Sequence, residues 1–146
     1  MSVLTRQTQT RHHPQGKTCH HFQFHGLSCD EYDDMLRRAN RMCELCGTPE
    51  EETGGQRLVV DHFEGNDPPV RFIRGLVCDR CNAVMSCLDE TKVWGKNVAW
   101  RARAIEYEAN SWEPVTSEQR HRAALNREER QQQRERIRRL TALEAS

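Results

Sequence analysis

Hydrophobic residues are scarce in this chain, 36% of 146, against about 45–50% in an ordinary globular domain with glycine included. Aromatics supply only 6%. The shortage excludes a large core and implies that something besides burial helps to hold the fold. No stretch approaches the ~18 apolar residues of a membrane span. The N-terminal MSVLTRQTQTRHHPQGK also lacks the apolar centre of a secretory signal. No membrane association and a cytoplasmic location are therefore expected, and there the seven cysteines read as metal ligands or free thiols rather than as a disulfide framework. Net charge is absent too, but the balance hides an asymmetry: residues 1–91 carry 10 Lys+Arg against 14 Asp+Glu, and residues 92–146 carry 12 against 8. A basic C-terminal part suits a polyanion such as nucleic acid, although a helix of mixed charge looks much the same.

What is present begins with a polar stretch. Residues 1–24 show no periodicity and read as a flexible arm. Order is expected from "HGLSCDEYDDMLRRANRM", where Ser28 and Glu31 have the spacing of a capping box and Asp30, Asp33 and Asp34 suit a helix N-terminus. Tyr32, Met35, Leu36 and Ala39 fall on one face of that helix. The chain then reaches "CELCG", a loop over 48–56, a strand "RLVVDH", a turn "EGNDPP" and a second strand "VRFIRGLV". That order predicts a hairpin with a six-residue loop. "CDRCN" opens a short helix running to about Leu88. Trp94, Val98, Ala102, Ile105 and Ala109 predict an amphipathic helix over 92–110. Thr116 and Gln119 cap a last helix whose centre, "NREERQQQRER", is polar all round and so is solvated, bridging or not stably formed.

The cysteines carry the strongest signal. Cys43-Glu-Leu-Cys46 and Cys78-Asp-Arg-Cys81 are two C-x-x-C pairs, each able to turn both thiolates onto one ion, and together they complete a closed tetrahedral zinc site. A closed site is structural, because a catalytic zinc keeps a position open for water. One such zinc per chain would also stabilise a fold with so thin a core. A redox pair is the competing reading, but such motifs normally come singly on a βαβ pattern, which is missing. "CHHFQFH" (19–25) with Cys29 offers ligands for a second Cys/His site; its irregular spacing argues against one. Cys87 reads as a buried, inert thiol.

Between the pairs, Asp61 and His62 end the first strand, and Asn82 follows Cys81 directly. Neighbours on a regular strand point to opposite faces, so both can serve one site only if the strand ends or distorts there. A carboxylate, an amide and an imidazole so placed could hold a magnesium ion through Asp61 and Asn82 and let His62 accept a proton from water. A structural Asp-His dipeptide at a strand end remains the alternative.

The order "CELCG … LVVDH … IRGLVCDRCN" resembles the phage recombination endonuclease VII family, an HNH-like, His-Me finger (ββα-metal) group of nucleases, over about residues 25–88. The resemblance implies structural zinc on Cys43, Cys46, Cys78 and Cys81, a catalytic Mg2+ (or Mn2+) on Asp61 and Asn82, and water activation by His62. It also implies DNA cleavage leaving 5′-phosphate ends, in recombination on branched, Holliday-type or duplex DNA. The chain departs from the family's H-x-D-H-x-H at Val59 and Glu64, and "AVMSCLDE" after Asn82 has no early acidic residue. Arg74 occupies the family's R-G position and is a candidate DNA contact, with a solvated strand face as its alternative; Arg71 reads as surface. Glu64 shares a strand face with His62, although a turn carboxylate is the simpler reading. Trp94 and Trp100 lie among Lys92, Lys96, Arg101 and Arg103, yet the spacing of Trp94 with Val98 favours a core role over base stacking.

The expected fold is α+β: a ββα-metal core over 25–90 with a four-cysteine zinc site, preceded by the 1–24 arm and followed by a basic helical extension over 91–146. The expected function is a metal-dependent DNA endonuclease, homodimeric if it resolves junctions. The competing classes are a non-catalytic zinc module binding DNA or protein, and a thiol redox protein.

Overall fold

The computed structural model describes residues 5–54, 57–91 and 98–145. Its helices are α1 (His20–His25), α2 (Cys29–Arg38), α3 (Asp79–Asp89), α4 (Val98–Ala109) and α5 (Ser117–Glu144). Strands β1 (Val59–Asn66) and β2 (Pro69–Val77) form one two-stranded sheet. A small sheet flanked by helices, a four-cysteine cluster and a helical C-terminal extension make the α+β, ββα-like architecture expected. No helix among the described residues is long and apolar enough to cross a membrane.

The chain forms two compact units: residues 1–60 with 75–79, and residues 61–74 with 80–146. In the first unit, α2 starts at Ser28 with the full reciprocal capping box to Glu31. The capping satisfies two of the donors that a helix start leaves unpaired. Tyr32, Met35, Leu36 and Ala39 are all buried, as their spacing predicts. Tyr32 also donates its hydroxyl to the Leu58 carbonyl at 2.6 Å, which satisfies the polar end of a buried ring. The residues before α2 are less bare than a flexible arm: they form a short 3-10 turn and α1, and Gln9, His12, Cys19 and His21 are buried.

In the second unit, the hairpin is tighter than the sequence suggests. β1 runs on through Glu64, Gly65 and Asn66, and only Asp67 and Pro68 connect it to β2. The reason is distant in sequence. Asn126 on α5 donates to the Pro68 carbonyl at 2.6 Å and accepts from the Asp67 amide at 3.2 Å, taking over the hydrogen bonding a longer loop would otherwise need. Gly65 lies against this Asn126 side chain, where a Cβ would collide with the amide. Phe63 and Phe72 stack with centroids 5.5 Å apart and pack with Val70, Ala123 and Val115. The free edge of β2 is covered as well, the amides of Trp112 and Glu113 donating to the carbonyls of Arg74 and Ile73 at 2.7 and 3.0 Å. Covering an edge in this way blocks unwanted strand pairing.

Helix α4 corrects one expectation. Among its described side chains Ala104 and Tyr107 are buried, while Ile105 is 60% exposed and Ala102 and Ala109 are exposed too. The apolar repeat picked the wrong face because polar groups, the Tyr107 hydroxyl and the Glu108 carboxylate, orient this helix inward. The proposed core role of Trp94 lies outside the described residues. Helix α5 forms from the Thr116–Gln119 capping box, and its polar centre bridges to other elements.

Candidate active site and metal centre

The four cysteines of the two knuckles come together, their sulfurs all within 4.8 Å of one another. Local backbone chemistry explains how. Gly47 adopts a left-handed φ of 78°, which lets the Cys43 carbonyl accept from the Gly47 amide at 2.8 Å while the Cys43 amide donates to Thr48 at 2.9 Å. The first knuckle is tied to the end of β2: the Glu44 amide donates to the Leu76 carbonyl at 3.0 Å, and the Leu76 amide donates to the Glu44 carboxylate at 2.6 Å. Cys46 and Cys78 Sγ stand 3.8 Å apart. A tetrahedron of Zn–S bonds of ~2.3 Å has an edge of about 3.8 Å, so the donor set fits zinc. With four protein sulfurs and no position left open, the tetrad has the form of a structural zinc site. Cys87 is half-buried, less enclosed than expected.

The Asp61–His62 pair lies within β1 and not at its end. From Asp61 onward burial alternates strictly: Asp61, Phe63 and Gly65 are buried, whereas His62 is half-exposed and Glu64 and Asn66 are exposed. Aspartate and histidine therefore leave the strand on opposite faces. Glu64, read in sequence as a turn carboxylate, is on the strand, with its carboxylate 3.3 Å from His62 Nε2. Asn82 sits half-buried in the first turn of α3.

Asp61 is 1% exposed and belongs to a buried charge network centred on Arg74. Arg74 Nε and Nη2 donate to its two oxygens at 2.7 and 3.0 Å, and the Tyr107 hydroxyl donates at 2.8 Å. The same guanidinium donates to Asp89 at 2.9 and 2.7 Å and to Glu108 at 2.8 Å. Arg127 closes the ring, donating to Glu108 at 2.9 and 2.6 Å and to Asp89 at 2.7 Å. Burial costs each of these groups. It pushes the Asp61 carboxyl upward, against the opposing pull of Arg74 and Tyr107. At Glu108 the hydrogen bonds and charges of Arg127 and Arg74 outweigh burial and hold the carboxyl below its usual range. Arg74 and Arg127 stay charged, raised above the ordinary arginine value by their carboxylates despite burial.

Arg74 as a DNA contact is thereby corrected. Its side chain is wholly buried, and the five N–H donors of a guanidinium are all accounted for by Asp61, Asp89, Glu108 and the His62 carbonyl. Nothing is left to offer a phosphate. Arg71, by contrast, is exposed as expected. Asp89, Tyr107, Glu108 and Arg127 went unrecognised in the sequence, where no local spacing marks them.

On the outer side, His62 and Glu64 line an open cleft with Asp89, Arg130, Arg134 and Arg138. The α5 arginines are held in place by backbone oxygens: Arg130 donates to the carbonyls of Asp89 at 3.0 Å and Glu64 at 2.6 Å, and Arg134 to that of Glu90 at 2.7 Å. The Arg127 and Arg130 guanidinia also cover the Phe63 ring at 4.9 and 5.5 Å. The basic helix thus delivers its charge beside the one imidazole of β1.

Among known proteins, the family model described as recombination endonuclease VII matches residues 16–110. No curated protein and no solved structure matches the chain. The matched span is wider than 25–88 and takes in Asp89, Tyr107 and Glu108.

Proposed function

Because the chain belongs to the recombination endonuclease VII family, we propose that it is a metal-dependent DNA endonuclease with His62 as the base that activates water. One observation carries this reading: His62 opens onto a cleft whose wall is built by Arg130, Arg134 and Arg138 of α5. Arginines at fixed positions are suited to the diester backbone. A neutral imidazole there can take a proton from water. The Glu64 carboxylate near Nε2 orients the ring and favours a proton on that nitrogen.

Asp61 and Asn82 are the proposed holders of the catalytic cation. Both present hard oxygen donors, and magnesium needs only one or two from a protein. On Asp61, Oδ2 already accepts from Arg74 and Tyr107, while Oδ1 accepts from Arg74 alone and keeps a lone pair. The network also has room for positive charge, since three carboxylates (Asp61, Asp89, Glu108) face two guanidinia (Arg74, Arg127). A divalent cation bound there would offset charge developing on the phosphate and the departing oxygen. Asp61 and His62 leave β1 on opposite faces, so serving one phosphate requires the strand to distort at this pair when metal and DNA bind, with His62 transferring the proton and Asp61 compensating charge. Products with 5′-phosphate ends and a branched or duplex DNA substrate complete the proposal; a junction-resolving enzyme would act as a homodimer.

The commitment of Asp61 to Arg74 favours a second reading, a non-catalytic zinc-holding module that binds DNA. Incubating the protein with supercoiled plasmid and with a four-way junction, in magnesium and in EDTA, separates the two. Magnesium-dependent strand breakage of either substrate is expected. Binding without breakage in any divalent metal would favour the module.

Affinity is expected to reside in α5. Charge reversal of Arg136, Arg138 and Arg139 should weaken DNA binding mainly at moderate salt and flatten its salt dependence, because phosphate contacts act through counterion release. Filter binding at several salt concentrations reads this out. An unchanged affinity and slope would assign the end of α5 to another task, such as self-association through the exposed Ile137, Leu140 and Leu143.

A further inference from the structure

The structure assigns a second structural zinc site to His12, Cys19, His21 and Cys29, which would clip the N-terminal segment onto the start of α2. The H-x6-C-x-H-x7-C spacing is far from the regular pairs of common zinc motifs, and the sequence, which offers only residues 19–25 with Cys29, does not single out His12. In three dimensions the four donor atoms lie within 4.8 Å of one another, and all four residues are buried, at 9%, 2%, 6% and 2% exposure.

The hydrogen bonding around the two rings is the decisive observation. His12 Nε2 lies 2.7 Å from an Asp33 carboxylate oxygen, and His21 Nδ1 lies 2.8 Å from the Leu27 carbonyl. Both partners only accept, so each of those ring nitrogens carries the proton. In the neutral rings the lone pairs are then on His12 Nδ1 and His21 Nε2, which face each other at 3.0 Å. Two lone pairs at that distance need a positive centre between or beside them. The Cys29 sulfur lies 3.9 Å from His21 Nε2 and 3.9 Å from the Cys19 sulfur. Ideal tetrahedral zinc would set sulfur–sulfur at about 3.8 Å and nitrogen–nitrogen at about 3.3 Å. The spacings match those of a pre-formed Cys2His2 shell.

The second layer is that of a metal site as well. Metal-ligating histidines characteristically donate their other nitrogen to a carboxylate or a backbone carbonyl, and here one does each. The His12 amide donates to the Cys19 sulfur at 3.2 Å. Gln9 fixes both cysteines by their backbones, its carbonyl accepting from the Cys19 amide at 2.8 Å and its side chain from the Cys29 amide at 2.6 Å. With four protein ligands the site has no open position, so its role is structural. Binding would displace the two thiol protons and tie ordering of residues 9–29 to the metal.

Native mass spectrometry of the full chain purified with zinc tests the proposal. Two zinc ions per chain are expected, falling to one in His12→Ala/His21→Ala. Should that variant precipitate, cobalt reconstitution of the wild type decides: sulfur-to-cobalt charge-transfer absorption should correspond to six thiolates, four from the tetrad and two from Cys19 and Cys29. A single zinc with a four-thiolate band overturns the proposal, whether the remaining groups share a proton between the histidines or join Cys19 to Cys29 in a disulfide. Two zinc ions retained by the double variant overturn it as well.

Discussion

Arg74→Met is expected to lower thermal stability by about 3–5 kcal/mol, the usual result of removing one partner from a buried ion pair. Methionine fills much of the volume but leaves Asp61, Asp89 and Glu108 facing one another with only Arg127 for compensation. For a chain of this size the loss corresponds to a melting point lower by on the order of 10 °C, measurable by calorimetry. The pH dependence has a definite sign. In the variant the buried carboxylates gain affinity for protons relative to the unfolded chain, so the folded form binds more protons and its stability falls as pH rises. The deficit against wild type should therefore shrink as the pH drops from 7 toward the carboxylate range. A variant within ~1 kcal/mol of wild type would mean that packing, and not this network, holds β1, α3, α4 and α5 together.

His62→Ala should reduce the rate of DNA cleavage by ~10²–10⁴, the usual cost of losing a positioned base. Its affinity for DNA should change little, since the proposed phosphate contacts come from α5. Single-turnover cleavage alongside binding at the same salt separates the two effects. The side chain is half-exposed and contacts Glu64 in the same strand, so the fold is expected to tolerate the change, which sets it apart from Arg74→Met. A parallel loss of rate and affinity would make His62 a DNA contact and leave the base unidentified.

What the sequence disclosed was local. Ser28 with Glu31 and Thr116 with Gln119 predict helix starts because each box closes within one turn. Cys43, Cys46, Cys78 and Cys81 are legible because two short loops fix the sulfur geometry before any tertiary structure is specified. The two strands are legible as the runs RLVVDH and VRFIRGLV, whereas Phe63 lies beyond the expected end of the first. Arg74 was misread because its carboxylate partners lie 13, 15 and 34 positions away, and a charged residue in an apolar strand carries no sign of what will neutralise it. The hairpin was drawn too loose because Asn126, 58 positions beyond Pro68, does the work of a turn. The buried face of α4 was missed for the same reason: Tyr107 and Glu108 are drawn inward by Asp61 and Arg74, and a count of apolar residues cannot register that pull.

The most direct test of the nuclease mechanism compares His62→Ala with Asp61→Ala as manganese is raised. Asp61→Ala removes the proposed, negatively charged cation ligand, so it should cleave DNA poorly at ordinary magnesium and recover in part at high manganese, provided its fold is verified by circular dichroism. His62→Ala should stay slow at every metal concentration, because additional metal cannot replace a base. Cleavage of plasmid by His62→Ala at the wild-type rate across neutral pH would contradict the mechanism.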